Sequence, residues 1–208
     1  MPRLLRDGPD DAPATLLLAH GAGAPMDSPW MNALTEALVA EGLAVARFEF
    51  AYMAARRDGV RKPPPRGETL IPEFIDAVAA LAPPGRLVIG GKSLGGRVAS
   101  MAADAVGPAG LLCLGYPFHP PGKPAQTRTA HLSTLRTPTL ICQGTRDPFG
   151  GPEEVATYDL SPAIELIWFE DGDHYLAPRK SVTGVSAPEH RRALAAAVAG
   201  WVSRLPCG

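Results

Sequence analysis

The pentapeptide Gly91-Lys92-Ser93-Leu94-Gly95 sets a serine two residues from a glycine on either side, after the apolar run Leu87–Gly90 and before the Ala-rich stretch Arg97–Val106. Between a strand and a helix, G-x-S-x-G is the pattern of a nucleophile. The tight turn strains the serine backbone, the glycines let strand and helix approach, and the hydroxyl projects at a helix N-terminus. Free N–H groups and partial positive charge there suit a developing oxyanion, so the chemistry is acyl transfer through a covalent serine adduct. The same residues also read as a plain strand-to-helix turn. A phosphate-binding loop is a further reading, since Gly-Lys-Ser occurs literally, but G-x-x-x-x-G-K-[ST] needs glycine at position 86, which is Arg86.

A serine nucleophile needs a base, and the chain has five histidines. In architectures built around such a turn, an acid and then a histidine follow the serine. His20 precedes Ser93, His119 and His131 fall in a Pro-rich loop ahead of any candidate acid, and His190 lies inside a helical pattern. His174 remains, in Glu170-Asp171-Gly172-Asp173-His174-Tyr175; a solvated loop histidine is the competing reading. Asp147 is the expected acid, because it follows the strand pattern Thr139–Gly144 and leaves room for one helix and one strand before His174. Asp171 and Asp173 are alternatives, and Asp147-Pro148 also reads as a turn. For the oxyanion, one donor should be the N–H of Leu94 and the second an N–H of His20-Gly21-Ala22-Gly23, with Ala22 preferred and Gly23 next.

The elements that must position these groups alternate along the chain. Strand patterns fall at Thr15–Ala19, Leu43–Phe50, Leu87–Gly90, Leu111–Leu114, Thr139–Cys142 and Ile164–Phe169. Helical patterns fall at Trp30–Glu41, Pro72–Ala82 (closed by Pro83-Pro84-Gly85), Arg97–Val106, Glu153–Tyr158 and Glu189–Leu205, and residues 51–66 read as a basic, Pro-rich loop. This order predicts an α/β fold with a mostly parallel sheet covered on both faces, whose site lies at the carboxyl ends of the strands. The length, 208 residues, predicts one domain over 1–208.

Composition narrows the partners. Lys+Arg 20 against Asp+Glu 21 leaves a net charge of −1, without the basic field of a phosphate-binding nucleic-acid partner. Arg outnumbers Lys by 16 to 4 in a chain rich in Ala, Gly and Pro, a bias that points to a GC-rich, bacterial genome. No apolar stretch approaches a membrane span, and the first residues lack the basic-apolar-small order of a signal peptide. The three cysteines, Cys113, Cys142 and Cys207, form no CxxC pair, so neither a metal site nor a disulfide framework is expected and a reduced cytoplasm is. The oligomeric state has no signature in the sequence.

The blocks HGAGAPMDSPWM, RFEFAYM, IGGKSLGGRVAS, CLGYPFHPPGKP, ICQGTRDPFG and GDHYLAPRK, spread over residues 20–180, resemble the α/β-hydrolase superfamily. Within it they are most similar to small bacterial predicted hydrolases grouped with the testis-expressed and histone-acetyltransferase-complex-associated hydrolase-like proteins, and related to dienelactone hydrolases. The resemblance implies a minimal α/β-hydrolase fold and a serine hydrolase acting on an ester-like bond with no cofactor. It also implies two alternatives: a peptidase or thioesterase with the same triad, and a non-catalytic scaffold of the kind that relatives lacking the serine form. The segment 116–136, where larger members carry a lid domain, is too short for one, which favours a small soluble substrate.

For the substrate pocket, Tyr52, Tyr116 and Phe118 at strand ends are candidate lining residues, with core packing as the other reading. Arg56, Arg57, Arg61, Lys62 and Arg66 make a basic rim, and Arg146, Arg179 and Lys180 flank the expected acid and base. Such a rim would steer an anionic substrate, or it is simply a solvated face of an Arg-rich chain. Lys92 is expected to be exposed within the turn, where it could meet a substrate anion.

Overall fold

Runs such as Leu16-Leu17-Leu18 are apolar at consecutive positions, and side chains alternate across a strand, so both faces of such a strand must be buried. The computed structural model, which describes residues 2–81 and 85–206, meets that demand with one seven-stranded sheet. Its strands are β1 (Leu4–Asp7), β2 (Ala14–Ala19), β3 (Ala44–Phe48), β4 (Arg86–Lys92), β5 (Gly110–Leu114), β6 (Thr139–Gly144) and β7 (Ile164–Phe169). They lie in the order β1-β3-β2-β4-β5-β6-β7; all pairs are parallel except β1 with β3.

The two apolar layers follow the pleat. Leu17, Phe48, Ile89, Leu111 and Ile141 face α3 (Ile71–Leu81) and α4 (Leu94–Val106). Leu16, Leu18, Val45, Val88, Leu112 and Leu140 face α1 (Pro29–Ala40) and α7 (Ala187–Arg204), which bring Leu34, Leu38, Leu194, Val198 and Trp201. Helix starts are marked locally. Ser28 accepts from the Met31 N–H at 3.4 Å ahead of Pro29, and Ser186 with Glu189 forms a capping box ahead of α7. Short turns complete the chain: α2 (Ala51–Ala54), α5 (Pro152–Val155) and α6 (Lys180–Thr183).

Several expected boundaries move. The edge strand β1 has no counterpart in the sequence reading, because a four-residue segment with Arg6 and Asp7 carries no apolar period; pairing with β3 makes it a strand. The loop expected at 51–66 begins with α2 and a 3₁₀ turn at 55–58. The strand expected at 43–50 is shorter, and the helix expected at 97 begins at Leu94, directly after Ser93. The helix end at Ala82, the Pro83-Pro84 stop and Cys207 lie outside the described residues; Cys113 and Cys142 are buried and free. Among the described residues, no helix is long and apolar enough to cross a membrane.

The strand order locates the site. From β2 the chain moves outward to β3, then returns past β2 to β4, so neighbouring crossovers leave in opposite directions between β2 and β4. Loops after those two strands therefore diverge and open a crevice. Ala19 of β2 pairs with Gly91 of β4, which sets His20-Gly21-Ala22 beside Ser93.

Candidate active site

Ser93 sits at φ 52°, ψ −113°, between the last residue of β4 and the first of α4. A non-glycine residue at positive φ is strained, and the surrounding packing must impose it. Here the Ser93 N–H donates to Leu114 O at 3.0 Å, and the glycines on either side admit the neighbouring backbone. A Cβ on Gly91 would lie 2.4 Å from Ala19 O, and one on Gly95 2.5 Å from the same oxygen, so a side chain fits at neither position.

The Ser93 hydroxyl lies 2.9 Å from Nε2 of His174, whose Nδ1 lies 2.9 Å from Oδ2 of Asp147. The carboxylate can only accept, so the proton sits on Nδ1 and Nε2 is free to receive the serine proton. Asp147 is fully enclosed. Its Oδ2 also accepts from Gln143 Nε2 at 3.0 Å, and its Oδ1 from the Phe149 N–H at 2.9 Å. Gln143 is itself locked to Tyr116 by a pair of hydrogen bonds, 2.7 Å from its N–H and 3.1 Å to its carbonyl. The three expected residues thus come together from the ends of β4, β6 and β7.

Asp171 and Asp173 do not orient the imidazole. Asp171 is buried and ion-paired with Arg179 and Arg146, and hydrogen bonds from Arg179 hold its carboxyl well below the usual carboxylate range. Asp173 Oδ1 accepts from the N–H groups of Tyr175 at 2.8 Å and Ala177 at 3.1 Å. Both acids brace the loop that carries His174, in which Asp171 and Leu176 adopt positive φ. Arg146 and Arg179 are therefore committed to Asp171 and are not part of a substrate rim.

The oxyanion loop has its own support. His20 is buried, donates from Nδ1 to Gly21 O at 2.6 Å and accepts the Phe50 N–H on Nε2 at 3.2 Å; burial pushes its pKa down, so the imidazole is a neutral bracket. Tyr52 OH donates to Ala22 O at 3.1 Å. Leu94 opens α4, where an N–H has no intrahelical partner, and among the described residues neither it nor the Ala22 N–H donates to another backbone group.

Two pockets meet at Ser93. One, about 600 Å³, runs along Pro65, Arg66, Arg97 and Arg128. The other, about 210 Å³, is walled by Trp30, Tyr175 and the oxyanion loop. Ala22, Ser93 and Phe149 border both. Phe149 also packs its ring on His174 at 4.2 Å between centroids. A larger cleft of about 720 Å³, beside α2 and α3, reaches none of the triad.

A family description, α/β-hydrolase domain, matches residues 12–203. The chain belongs to the α/β-hydrolase family. Solved structures share the fold at low identity. A lidless α/β serine hydrolase from Xanthomonas campestris is 21% identical over 99% of this chain and 90% of that one, with a TM-score of 0.72. A dienelactone hydrolase from Anabaena variabilis is 20% identical over 97% and 91%, with a TM-score of 0.72. An α/β serine hydrolase homologue from Coxiella burnetii is 17% identical over 94% and 90%, with a TM-score of 0.71.

Expectations for the substrate pocket and for Lys92 require correction. Tyr116 and Phe118 are fully buried core residues, and Tyr52 braces Ala22 from behind; none lines either pocket. Lys92 is 4% exposed, not free in solvent. Among the described residues its Nζ has no hydrogen-bond partner, and it sits among the rings of Tyr175 and Trp30, 5.0 and 5.9 Å from their centroids. A Cβ on Gly115 would lie 3.0 Å from that Nζ and 3.4 Å from His174 Nδ1, so amine and imidazole share one wall. Burial pushes the amine down to about 7, against the pull of Asp147 and Asp173. Within the basic rim Arg57 is committed to Glu49 and Asp27 and Arg56 lies over Tyr52, whereas Arg66 borders the larger pocket beside Ser93. Gln143, Phe149 and the Asp171 clamp escaped the sequence reading; a glutamine inside the apolar run Leu140–Cys142 onward was the one available signal.

Proposed function

We propose that this α/β-hydrolase is a serine hydrolase that cleaves an ester-like acyl bond of a small substrate through an acyl-enzyme on Ser93. The observation that carries the reading is the unbroken hydrogen-bond chain from Ser93 Oγ through His174 to the enclosed Asp147. In the first step Ser93 Oγ attacks the carbonyl carbon while His174 Nε2 takes the hydroxyl proton. Asp147 holds the tautomer and stabilises the imidazolium. Negative charge on the carbonyl oxygen is met by the Leu94 and Ala22 N–H groups. The imidazolium then protonates the leaving oxygen as the bond to it breaks. Water, deprotonated by His174, attacks the acyl-enzyme and releases the acid and free Ser93. Base, orienting acid and oxyanion donors all come from the chain, so no step calls for a cofactor.

The border shared by the two pockets supports a scissile carbonyl at Ser93, with acyl and leaving groups on either side. A carboxylesterase is the preferred member of the class; a thioesterase or peptidase would use the same groups, and no membrane or nucleic-acid partner enters. Labelling with a fluorophosphonate probe tests the class. Ser93 should be modified in the wild type and not in Ser93→Ala; absence of labelling beside an intact control esterase overturns the reading in favour of a binding scaffold. A panel of p-nitrophenyl esters, acyl-thioesters and aminoacyl amides then ranks the bond types.

A further inference from the structure

Resting on the hydrolase reading above, we infer that the 600 Å³ pocket beside Ser93 takes the anionic end of the substrate, a carboxylate held by Arg128 together with Arg97 and Arg66. The walls of this pocket carry three guanidinium groups against the single carboxylate of Glu68. Glu68 pairs with Arg97, which leaves Arg66 and Arg128 without a carboxylate partner among the described residues. The guanidiniums come from three separate segments that converge on one space, which a solvated charged face would not require.

Each is set by the surrounding fold. Arg97 stands one turn into α4, its N–H on Ser93 O at 3.0 Å, so its distance from the nucleophile is fixed by the helix. Its side chain is 14% exposed, and its Nε is buried without a hydrogen-bond partner among the described residues. It lies so close to Gly67 that a Cβ there would be 2.6 Å from Nη1. Arg128 is pinned through its backbone: its N–H donates to Phe118 O at 2.7 Å, and its carbonyl accepts from the buried Tyr116 hydroxyl at 3.0 Å. Arg66 precedes the 3₁₀ turn Gly67–Leu70, and its carbonyl accepts from the Thr69 N–H at 3.1 Å and hydroxyl at 2.8 Å.

The charge of Arg128 is also disfavoured by its surroundings. Burial and then the neighbouring charge of Arg97 push the Arg128 guanidinium below its ordinary value. A carboxylate accepting from these forks would relieve that repulsion and form charge-assisted bonds of the kind arginine makes best. The half-exposed Glu68 offsets one of the three charges and rejects a second anion, which suits a singly charged carboxylate.

The test compares kcat/KM for two carboxylate esters and their neutral, chain-matched counterparts: p-nitrophenyl hemiglutarate against p-nitrophenyl hexanoate, and 4-carboxyphenyl butyrate against 4-tolyl butyrate. The first pair places the acid on the acyl side and the second on the leaving group. In at least one pair, after correction for leaving-group reactivity on the second, the acid should be favoured by about tenfold or more, through KM. That advantage should shrink with added salt and collapse toward unity in Arg128→Gln and in Arg66→Gln. Turnover of the neutral esters with no advantage for either acid overturns the inference and leaves the hydrolase reading standing. If no ester turns over and no probe labels Ser93, the hydrolase reading fails instead. The anion site is then decided by calorimetric titration with glutarate: saturable binding weakened in Arg128→Gln supports it, and no saturable binding up to about 10 mM overturns it.

Discussion

The serine turn and the histidine loop are both strained, yet they are held by different physics. At the turn, backbone sterics do the work: Gly91 and Gly95 touch the carbonyl of Ala19, and a strand and a helix leave Ser93 one conformation. In the loop from Glu170 to Arg179, side-chain electrostatics add to it. Two non-glycine residues, Asp171 and Leu176, take positive φ: ion pairs from Arg179 and Arg146 hold the Asp171 carboxylate, Leu176 is buried in the apolar layer, and the backbones of Gly144 and Gly172 pack as closely as those at the turn. The backbone of the nucleophile is therefore placed by uncharged contacts, with one titratable amine, that of Lys92, buried beside them. The base is placed by a loop that also relies on ion pairs.

The comparison can be broken at four points, the largest effect first. Ser93→Ala should lower kcat roughly 10⁴- to 10⁶-fold, while the denaturation midpoint holds, because alanine keeps the same Cβ and the same strained backbone. Gly95→Ala should strike stability instead. Its Cβ would fall 2.5 Å from Ala19 O and 2.7 Å from His20 O, both backbone atoms that cannot move aside. A loss of about 3 kcal/mol or more is expected in urea titration, or no soluble protein at all.

Lys92→Met sharpens the contrast, because Lys92 is the one charge buried within the serine turn. Its amine titrates near 7 when folded and at its ordinary 10.5 when unfolded. Between those values the unfolded chain binds more protons, so native stability rises with pH across the window and is lowest at and below pH 7. The methionine variant should thus be more stable than the wild type by about 2–4 kcal/mol at pH 6–7, with the gap closing as pH approaches 10.5. A gap that does not change with pH would place the amine in solvent contact.

Asp171→Asn should have the smallest effect and should spare the serine turn. Releasing the loop misplaces His174, so kcat should fall roughly 10- to 100-fold and fluorophosphonate labelling of Ser93 should slow with it, while the backbone of the serine turn persists. The sign with pH is opposite to that of Lys92. Asp171 is held below its ordinary value, so its contribution to stability is complete above about pH 4 and is lost on acidification through the lower, folded value. The difference in melting temperature between wild type and variant should be constant from neutral pH down to about 5 and narrow below 4.

Much of the site was legible along the chain for the same reason that the serine turn is rigid. Steric demands act over a few neighbouring residues, so Gly91, Ser93 and Gly95 declare them in one pentapeptide, and apolar runs declare the parallel strands on either side. Asp147 and His174 were reachable because strand ends are consecutive in sequence as well as in space. Lys92, Tyr116 and Phe118 were misplaced because burial depends on what arrives from elsewhere: Trp30 and Tyr175 close over the lysine from α1 and from the histidine loop. The edge strand β1 was invisible because its partner β3, not its own residues, makes it a strand.

Local sterics and hydrophobic period thus determined, from the sequence alone, the parallel α/β sheet, the strained serine and the strand ends on which Asp147 and His174 follow it. Only the tertiary structure decided which charges are free. Arg57, Arg146 and Arg179 are paired with carboxylates that the fold brings to them, as Arg57 is with Asp27 and Arg146 with Asp171, whereas Arg66 and Arg128 border the pocket beside Ser93 without a carboxylate partner among the described residues. The reason is physical: a side chain's conformational preference is set by its neighbours in sequence, but its electrostatic balance is set by whatever the fold brings within a few ångströms.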